Sequence, residues 1–123
     1  MTNPGGYDPF EHAERLGIQI IYRRLTTANG FWVPDLHAIF IQPRMRAVHE
    51  RSTLAHELGH ACLGHTSSNQ KQERQADIFA ARHLIDPEHL EYIRKTTPDP
   101  RIWANELGVT PILLEAYIRH IAA

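Results

Sequence analysis

The chain has 123 residues, of which 42% are hydrophobic and 22% are charged, and its formal net charge is -1. These values are ordinary for a single globular domain over residues 1–123, and they argue against a disordered chain and against a protein that binds mainly nucleic acid or an anionic membrane. No segment approaches the about 20 consecutive apolar residues of a transmembrane helix. The first residues lack a secretory pattern, and the single cysteine fits a reducing compartment, so we expect a cytoplasmic protein.

Cap and turn residues predict a helix and a small sheet in the first third of the chain. Residues 1–7 resemble a flexible tail, and Asp8-Pro9 predicts a short helix that ends at Gly17. Three apolar runs predict strands at residues 18–22, 31–33 and 37–41. Pro34-Asp35 predicts a hairpin between the last two strands, so we expect a three-stranded antiparallel sheet.

The rest of the chain has helical periodicity. One long helix is predicted over about residues 45–63, with Leu54, Leu58 and Cys62 toward the core and Gly64 as its stop, and a second long helix is predicted over about residues 70–85. Three cap-and-proline pairs predict a C-terminal helical subregion over residues 86–123: Asp86-Pro87, Asp99-Pro100 and Thr110-Pro111. The expected class is α+β, with the first helix and the sheet packed on the two long helices.

The first long helix contains the pattern H-E-x-x-H at residues 56–60. His56 and His60 are four residues apart, so they share a helix face and can offer two imidazole nitrogens to one metal ion. Glu57 lies about 100° further round the helix, where a carboxylate can act as a general base. The pattern is typical of zinc metallopeptidases, although surface histidines beside a glutamate are the alternative interpretation.

A catalytic zinc ion normally has three protein ligands, so two histidines are not sufficient. His65 follows His60 by five residues, about 140° round an ideal helix, and unless Gly64 bends the chain we interpret it as a surface histidine. Glu73 and Asp77 share a face of the next helix. Glu73 is the candidate third ligand, and Asp77 is the candidate acceptor for the ring N–H of a ligand histidine. Alternatively, both acids belong to a solvated helix face.

Two segments together resemble the ImmA/IrrE family of small metallopeptidases, which are gluzincin-like: RSTLAHELGH at residues 51–60 and the E-x-x-A-D-x-F-A-A pattern at residues 73–81. The resemblance extends from about Gly17 to the C-terminus. It implies a small zincin-like fold and one Zn²⁺ ion, with ligands at the matching positions His56, His60 and Glu73 and with Glu57 as the general base. Family members are usually encoded beside a helix-turn-helix repressor, often on mobile elements, and they cleave or otherwise inactivate that repressor.

The expected mechanism is hydrolysis of a peptide bond in such a protein partner. Glu57 would accept a proton from the attacking water and pass it to the leaving amine. The nearest candidates in sequence for stabilising the oxyanion are Tyr92, His83 and His89, among which the sequence does not choose. Residues 37–42 are the expected edge strand along which an extended substrate pairs.

Two other classes of function compete with the peptidase. The segment 103–113 has helix-turn-helix character, which suggests a DNA-binding regulator. However, its second helix has only Arg119 and His120 as basic residues, whereas DNA contact needs several Lys or Arg residues. The other alternative is a non-proteolytic zinc protein that sequesters a repressor. Glu57 argues against it, because structural zinc sites need no base and usually have four protein ligands.

Overall fold

The computed structural model describes residues 6–122 and shows an α+β fold. Within that range its elements, in chain order, are α1 (Pro9–Arg15), β1 (Gln19–Tyr22), β2 (Gly30–Val33), β3 (Ala38–Ile41), α2 (Ala47–Cys62), α3 (Gln70–Leu84), α4 (Pro87–Thr96), α5 (Pro100–Leu107) and α6 (Pro111–His120). Most of the predicted tail, residues 1–5, lies outside the described residues. No helix in the described part of the chain has both the length and the apolar character needed to cross a membrane.

The sheet is mixed, so the prediction of an antiparallel sheet was wrong for β1. The predicted hairpin is confirmed, because β2 and β3 are antiparallel and a 3-10 turn at Pro34–Leu36 joins them. β1 runs parallel to β3, and the strand order is β1-β3-β2. The three described apolar side chains of β3 that are fully buried, Ala38, Ile39 and Ile41, belong to the central strand. Both edges of β3 are therefore occupied, and residues 37–42 do not form the free edge that the sequence suggested.

Helix α2 lies between two hydrophobic clusters. Leu54 and Leu58 pack with α1 and the sheet, in a cluster that includes Ile39. Ala55 belongs to the second cluster, which α2 shares with the four helices that follow it. Cys62, expected in the core, is exposed because it is the last residue of α2, where the chain turns away. The H-E-x-x-H segment of α2 is thus fixed by packing on two sides, against α1 and the sheet and against the helices that follow.

Helices α2 and α3 approach each other closely at Gly59. A β-carbon at position 59 would lie 3.0 Å from the Cα of Ala76, 3.1 Å from the carbonyl oxygen of Ala76 and 3.2 Å from the Cβ of Phe79. Ala76 is itself fully buried. Small residues at both positions therefore allow the two backbones to lie close together, which places the polar face of α3 against the histidines of α2.

A cluster of aromatic rings joins α1 to α3. The Tyr7 hydroxyl and Nδ1 of His12 are hydrogen-bonded over 2.8 Å, and the His12 ring lies 5.9 Å from the His83 ring. Burial lowers the pKa of His12 below its usual 6.5, and the charges of His83 and Arg15 lower it further. The folded protein therefore favours the neutral form of His12.

This cluster predicts a loss of stability on acidification. The unfolded chain takes up a proton at His12 near pH 6.5, before the folded protein does, so the contribution of His12 is complete above that pH and is lost as the pH falls below it. Urea unfolding between about pH 8 and pH 5.5 can compare the wild type with His12→Asn, whose amide oxygen mimics Nδ1 without titrating. The free energy of unfolding of the wild type should fall relative to that of the variant. A constant difference would contradict the assignment.

Candidate metal site

The two histidines of the H-E-x-x-H pattern face one carboxylate of α3. His56 and His60 project from the same face of α2, and their ring centroids are 4.8 Å apart. Nε2 of His56 lies 3.0 Å from Oε1 of Glu73, and Nε2 of His60 lies 2.9 Å from Oε2 of the same residue. The three side chains that the sequence suggested as ligands therefore meet at one point.

This donor set fits a divalent transition metal. Two imidazole nitrogens and a carboxylate are a common ligand set of catalytic zinc, and donors bound to one tetrahedral zinc ion lie about 3.3 Å apart. The separations between the Glu73 oxygens and the histidine nitrogens, 3.0 and 2.9 Å, are close to that spacing. The ligand atoms of His56, Glu57 and His60 also lie within 4.8 Å of one another. Both carboxylates are thus near the two nitrogens, and Glu73 is the one that spans them.

Asp77 orients His56 from the far side of its ring. Nδ1–H of His56 donates to Oδ1 of Asp77 over 2.7 Å, which leaves Nε2 directed toward Glu73. Burial by itself lowers the pKa of His56, but the Asp77 hydrogen bond and the negative charges of Glu57, Asp77 and Glu73 outweigh it, so the pKa is raised. Asp77 therefore lies against the ring of His56, and its role as the acceptor that orients a metal ligand stays a prediction.

His65 is not the surface residue that its spacing from His60 suggested. Helix α2 ends at Cys62, Gly64 adopts a left-handed conformation with φ of 71°, and the His65 N–H then donates to the His60 carbonyl over 2.9 Å. This reversal returns the His65 side chain behind His60, where it is only 6% exposed. The signal available in the sequence was the glycine directly before His65, because glycine adopts a positive φ without strain.

Glu57 is buried between α2 and β2, with 7% of its surface exposed. Gly30 allows this contact, since a β-carbon at position 30 would lie 2.9 Å from Cγ2 of Thr53 and 3.0 Å from Cγ of Glu57. Burial raises the pKa of Glu57 to about 7; the charge of His56 opposes the shift, that of Glu73 adds to it, and a hydrogen bond from the Trp32 backbone opposes it. A carboxyl group with such a pKa can exchange protons at neutral pH.

The metal-site residues form the floor of an open cleft of about 970 Å³. Its lining includes the β2 segment with Gly30, Phe31 and Trp32 and the start of α6, residues 110–113. The start of α6 contacts α2, where the buried Ser52 hydroxyl accepts from the Thr110 N–H over 3.3 Å. The lining of the cleft therefore comes from distant parts of the sequence, and its volume can hold several residues of a peptide.

The three candidates for oxyanion stabilisation lie elsewhere. Tyr92 on α4 is 67% exposed, His89 is on the same helix, and neither they nor His83 belongs to the residues that line the cleft. His83 packs against the Phe79 ring at 4.1 Å, and its Nδ1 bonds the Phe79 carbonyl. Tyr92 and His89 are near the candidate ligands along the sequence but not in space, because α4 packs against α5 and not over the metal site. The lining instead includes polar residues that the sequence did not single out: Asn29, His49, Ser52, Thr53, Ser67, Ser68 and Thr110.

Comparison with known proteins agrees with this geometry. Residues 13–118 match the family model of Peptidase M78, described as the IrrE N-terminal-like domain. The search of curated proteins gives no match. The matched range contains α2 and α3 in full, and with them the candidate ligands and Glu57. The family expected from the sequence is therefore confirmed, and the chain belongs to the Peptidase M78 family of metal-dependent peptidases.

Proposed function

We propose that the protein is a zinc-dependent endopeptidase that hydrolyses a peptide bond in a partner protein, a helix-turn-helix transcriptional repressor. The observation that carries the proposal is the convergence of His56, His60 and Glu73 beside the buried Glu57, on the floor of an open cleft. A site open to a cleft and held by three protein ligands is typical of catalytic zinc, whereas structural sites are usually closed by four.

Each side chain of the site has a distinct role in the proposed reaction. His56, His60 and Glu73 hold the ion, and Asp77 fixes the ring of His56 through its 2.7 Å hydrogen bond. When bound, the ion lowers the pKa of water and polarises a carbonyl group. Glu57 accepts the proton of the attacking water and then donates it to the leaving amine, a transfer suited to a buried carboxylate beside the ligand histidines.

An extended substrate would pair with β2. This strand bonds β3 along one side, and its Gly30, Phe31 and Trp32 line the cleft. A peptide that adds to the free side of a strand gains main-chain hydrogen bonds, and its alternate side chains then contact the surrounding walls. Phe31 and Ile112, both in the lining, offer exposed apolar surface. The cleft thus suits an extended protein segment with apolar side chains.

The choice of a repressor as substrate rests on the family resemblance of the segments at residues 51–60 and 73–81. Such a partner would be encoded nearby, often on a mobile element, and both proteins would act in the cytoplasm. The repressor encoded next to this chain is therefore the substrate to test.

The test combines metal analysis with a cleavage assay. Purified protein is expected to contain one zinc ion per chain, and incubation with the repressor should yield two fragments whose masses add up to the repressor plus one water. Chelation should slow cleavage about 100-fold or more, because a catalytic metal contributes several kcal/mol, and added Zn²⁺ should restore it. An intact repressor held in a stable complex would favour sequestration instead. Tight, salt-sensitive DNA binding by this chain alone would favour a DNA-binding regulator.

A further inference from the structure

His65 connects a candidate ligand of α2 to helix α3. Its Nδ1 lies 2.9 Å from Nδ1 of His60, and its Nε2 lies 2.9 Å from Oε1 of Gln75. Both ring nitrogens therefore have a partner although the side chain is buried. His65 does not approach the Glu73 oxygens in any hydrogen bond or ion pair of the described residues. Its position behind His60 is thus distinct from that of a ligand.

The hydrogen-bond partners of His65 determine which ring nitrogens of His65 and His60 carry a proton. The amide oxygen of Gln75 can only accept, so Nε2 of His65 carries the proton and donates it. An imidazole whose one ring proton is on Nε2 has a lone pair on Nδ1 and accepts there, so Nδ1 of His60 is the donor of the 2.9 Å bond. A neutral imidazole that is protonated at Nδ1 has its remaining lone pair on Nε2. In His60 that nitrogen is the one that faces Glu73.

We infer that His65 is a positioning residue that holds the His60 ring, in the tautomer with a free Nε2 lone pair, for the metal ion. The inference rests on the proposed function, in which His60 is a ligand. It assigns to His65 and Gln75 the part that Asp77 has for His56. Unlike Asp77, the imidazole of His65 orients its partner without adding a negative charge next to the site.

The same arrangement makes α3 the common support of the three ligands. Glu73 is a ligand from α3 itself, Asp77 of α3 holds His56, and Gln75 of α3 holds His60 through His65. Groups that orient metal ligands typically change metal affinity by about 10–100-fold when they are replaced. Replacing His65 should therefore weaken zinc binding even though His65 does not contact the ion.

Zinc affinity, measured by competition with a chromophoric chelator, tests this role. His65→Phe removes the acceptor and should weaken zinc binding about 10–100-fold, whereas His65→Asn, with an amide oxygen near the position of Nδ1, should restore most of the affinity. His120→Phe makes the same change at an exposed histidine of α6 and should bind zinc like the wild type. Gln75→Leu serves as a second test if His65→Phe does not fold, and it should also weaken zinc binding.

The outcomes separate this inference from the proposed function. Glu73→Ala should lose zinc whatever the role of His65. If the wild type and Glu73→Ala bind zinc equally, the proposed metal site is wrong and the inference with it. If the wild type binds zinc and His65→Phe binds it equally well, the site stands and the inference is wrong. If folded His65→Asn is as weak as His65→Phe, the effect is one of packing, which also overturns the hydrogen-bonding role.

Discussion

Replacing Glu57 by glutamine is expected to lower kcat by about 10²–10⁴-fold while the metal remains bound. Glutamine has the same shape, so it fits the space between α2 and β2, where 7% of the Glu57 surface is exposed. Its amide oxygen can still accept the Trp32 backbone hydrogen bond, but the amide cannot take up a proton from water. The substitution therefore removes proton transfer and preserves the positions of the proposed ligands.

Single-turnover cleavage and metal content, measured on the same preparation, check this prediction. The expected result is wild-type zinc content, unchanged thermal stability within about 1 kcal/mol, and almost no product. Glu88→Gln, the same change at an exposed glutamate of α4, should leave the rate of cleavage and the zinc content unchanged. Full cleavage by Glu57→Gln would show that another group is the base. Loss of zinc would instead assign Glu57 to the ligand set, since its carboxylate also lies near both histidines.

The second large effect is expected at Gly59, where alanine should destabilise the fold although it is a better helix former. In an exposed helix this substitution would stabilise by about 0.5–1 kcal/mol. Here the added methyl group would lie 3.0 Å from the Cα of Ala76 and 3.1 Å from its carbonyl oxygen, so the backbones of α2 and α3 must separate. Overpacking of this kind costs about 1–3 kcal/mol. Separation of the helices would also move Glu73 and Asp77 away from the histidines of α2.

Urea unfolding and zinc titration of Gly59→Ala measure the two consequences separately. Both the free energy of unfolding of the metal-free protein and the zinc affinity should fall. Adding Ala76→Gly should not rescue either quantity, because the atoms nearest to the new methyl group belong to the backbone of residue 76. A variant more stable than the wild type would mean that helix propensity decides at this position and that the two helices are not in close contact.

The parts of the site that follow from helical spacing could be predicted from the sequence. His56 and His60, and likewise Glu73 and Asp77, are four residues apart, and the period of a helix alone places each pair on one face. That the two faces meet depends on the short connection between the helices and on the small residues at their contact. The cap-and-proline pairs gave the starts of α4, α5 and α6 for the same reason, since capping is a local interaction.

The features that the sequence did not reveal depend on contacts between distant residues or on a single backbone angle. A strand pattern shows which residues alternate but not which neighbour they pair with, so the parallel pairing of β1 with β3 was missed. The return of His65 depends on the left-handed conformation of Gly64, which ideal helical geometry does not include. Tyr92 and His89 were chosen for their nearness along the chain, whereas the packing of α4 against α5 decides their position.

The hydrogen bonds that join the ligand histidines to their supports and to α3 lie within residues 56–77, on two consecutive helices and the short loop between them. In kinetic terms this is a region of low contact order, and local contacts form early in folding because little loop-closure entropy must be lost. The walls of the cleft come from β2 and from the start of α6, which are far apart in the chain. The nascent chain should therefore acquire its metal-binding groups before it can enclose a substrate.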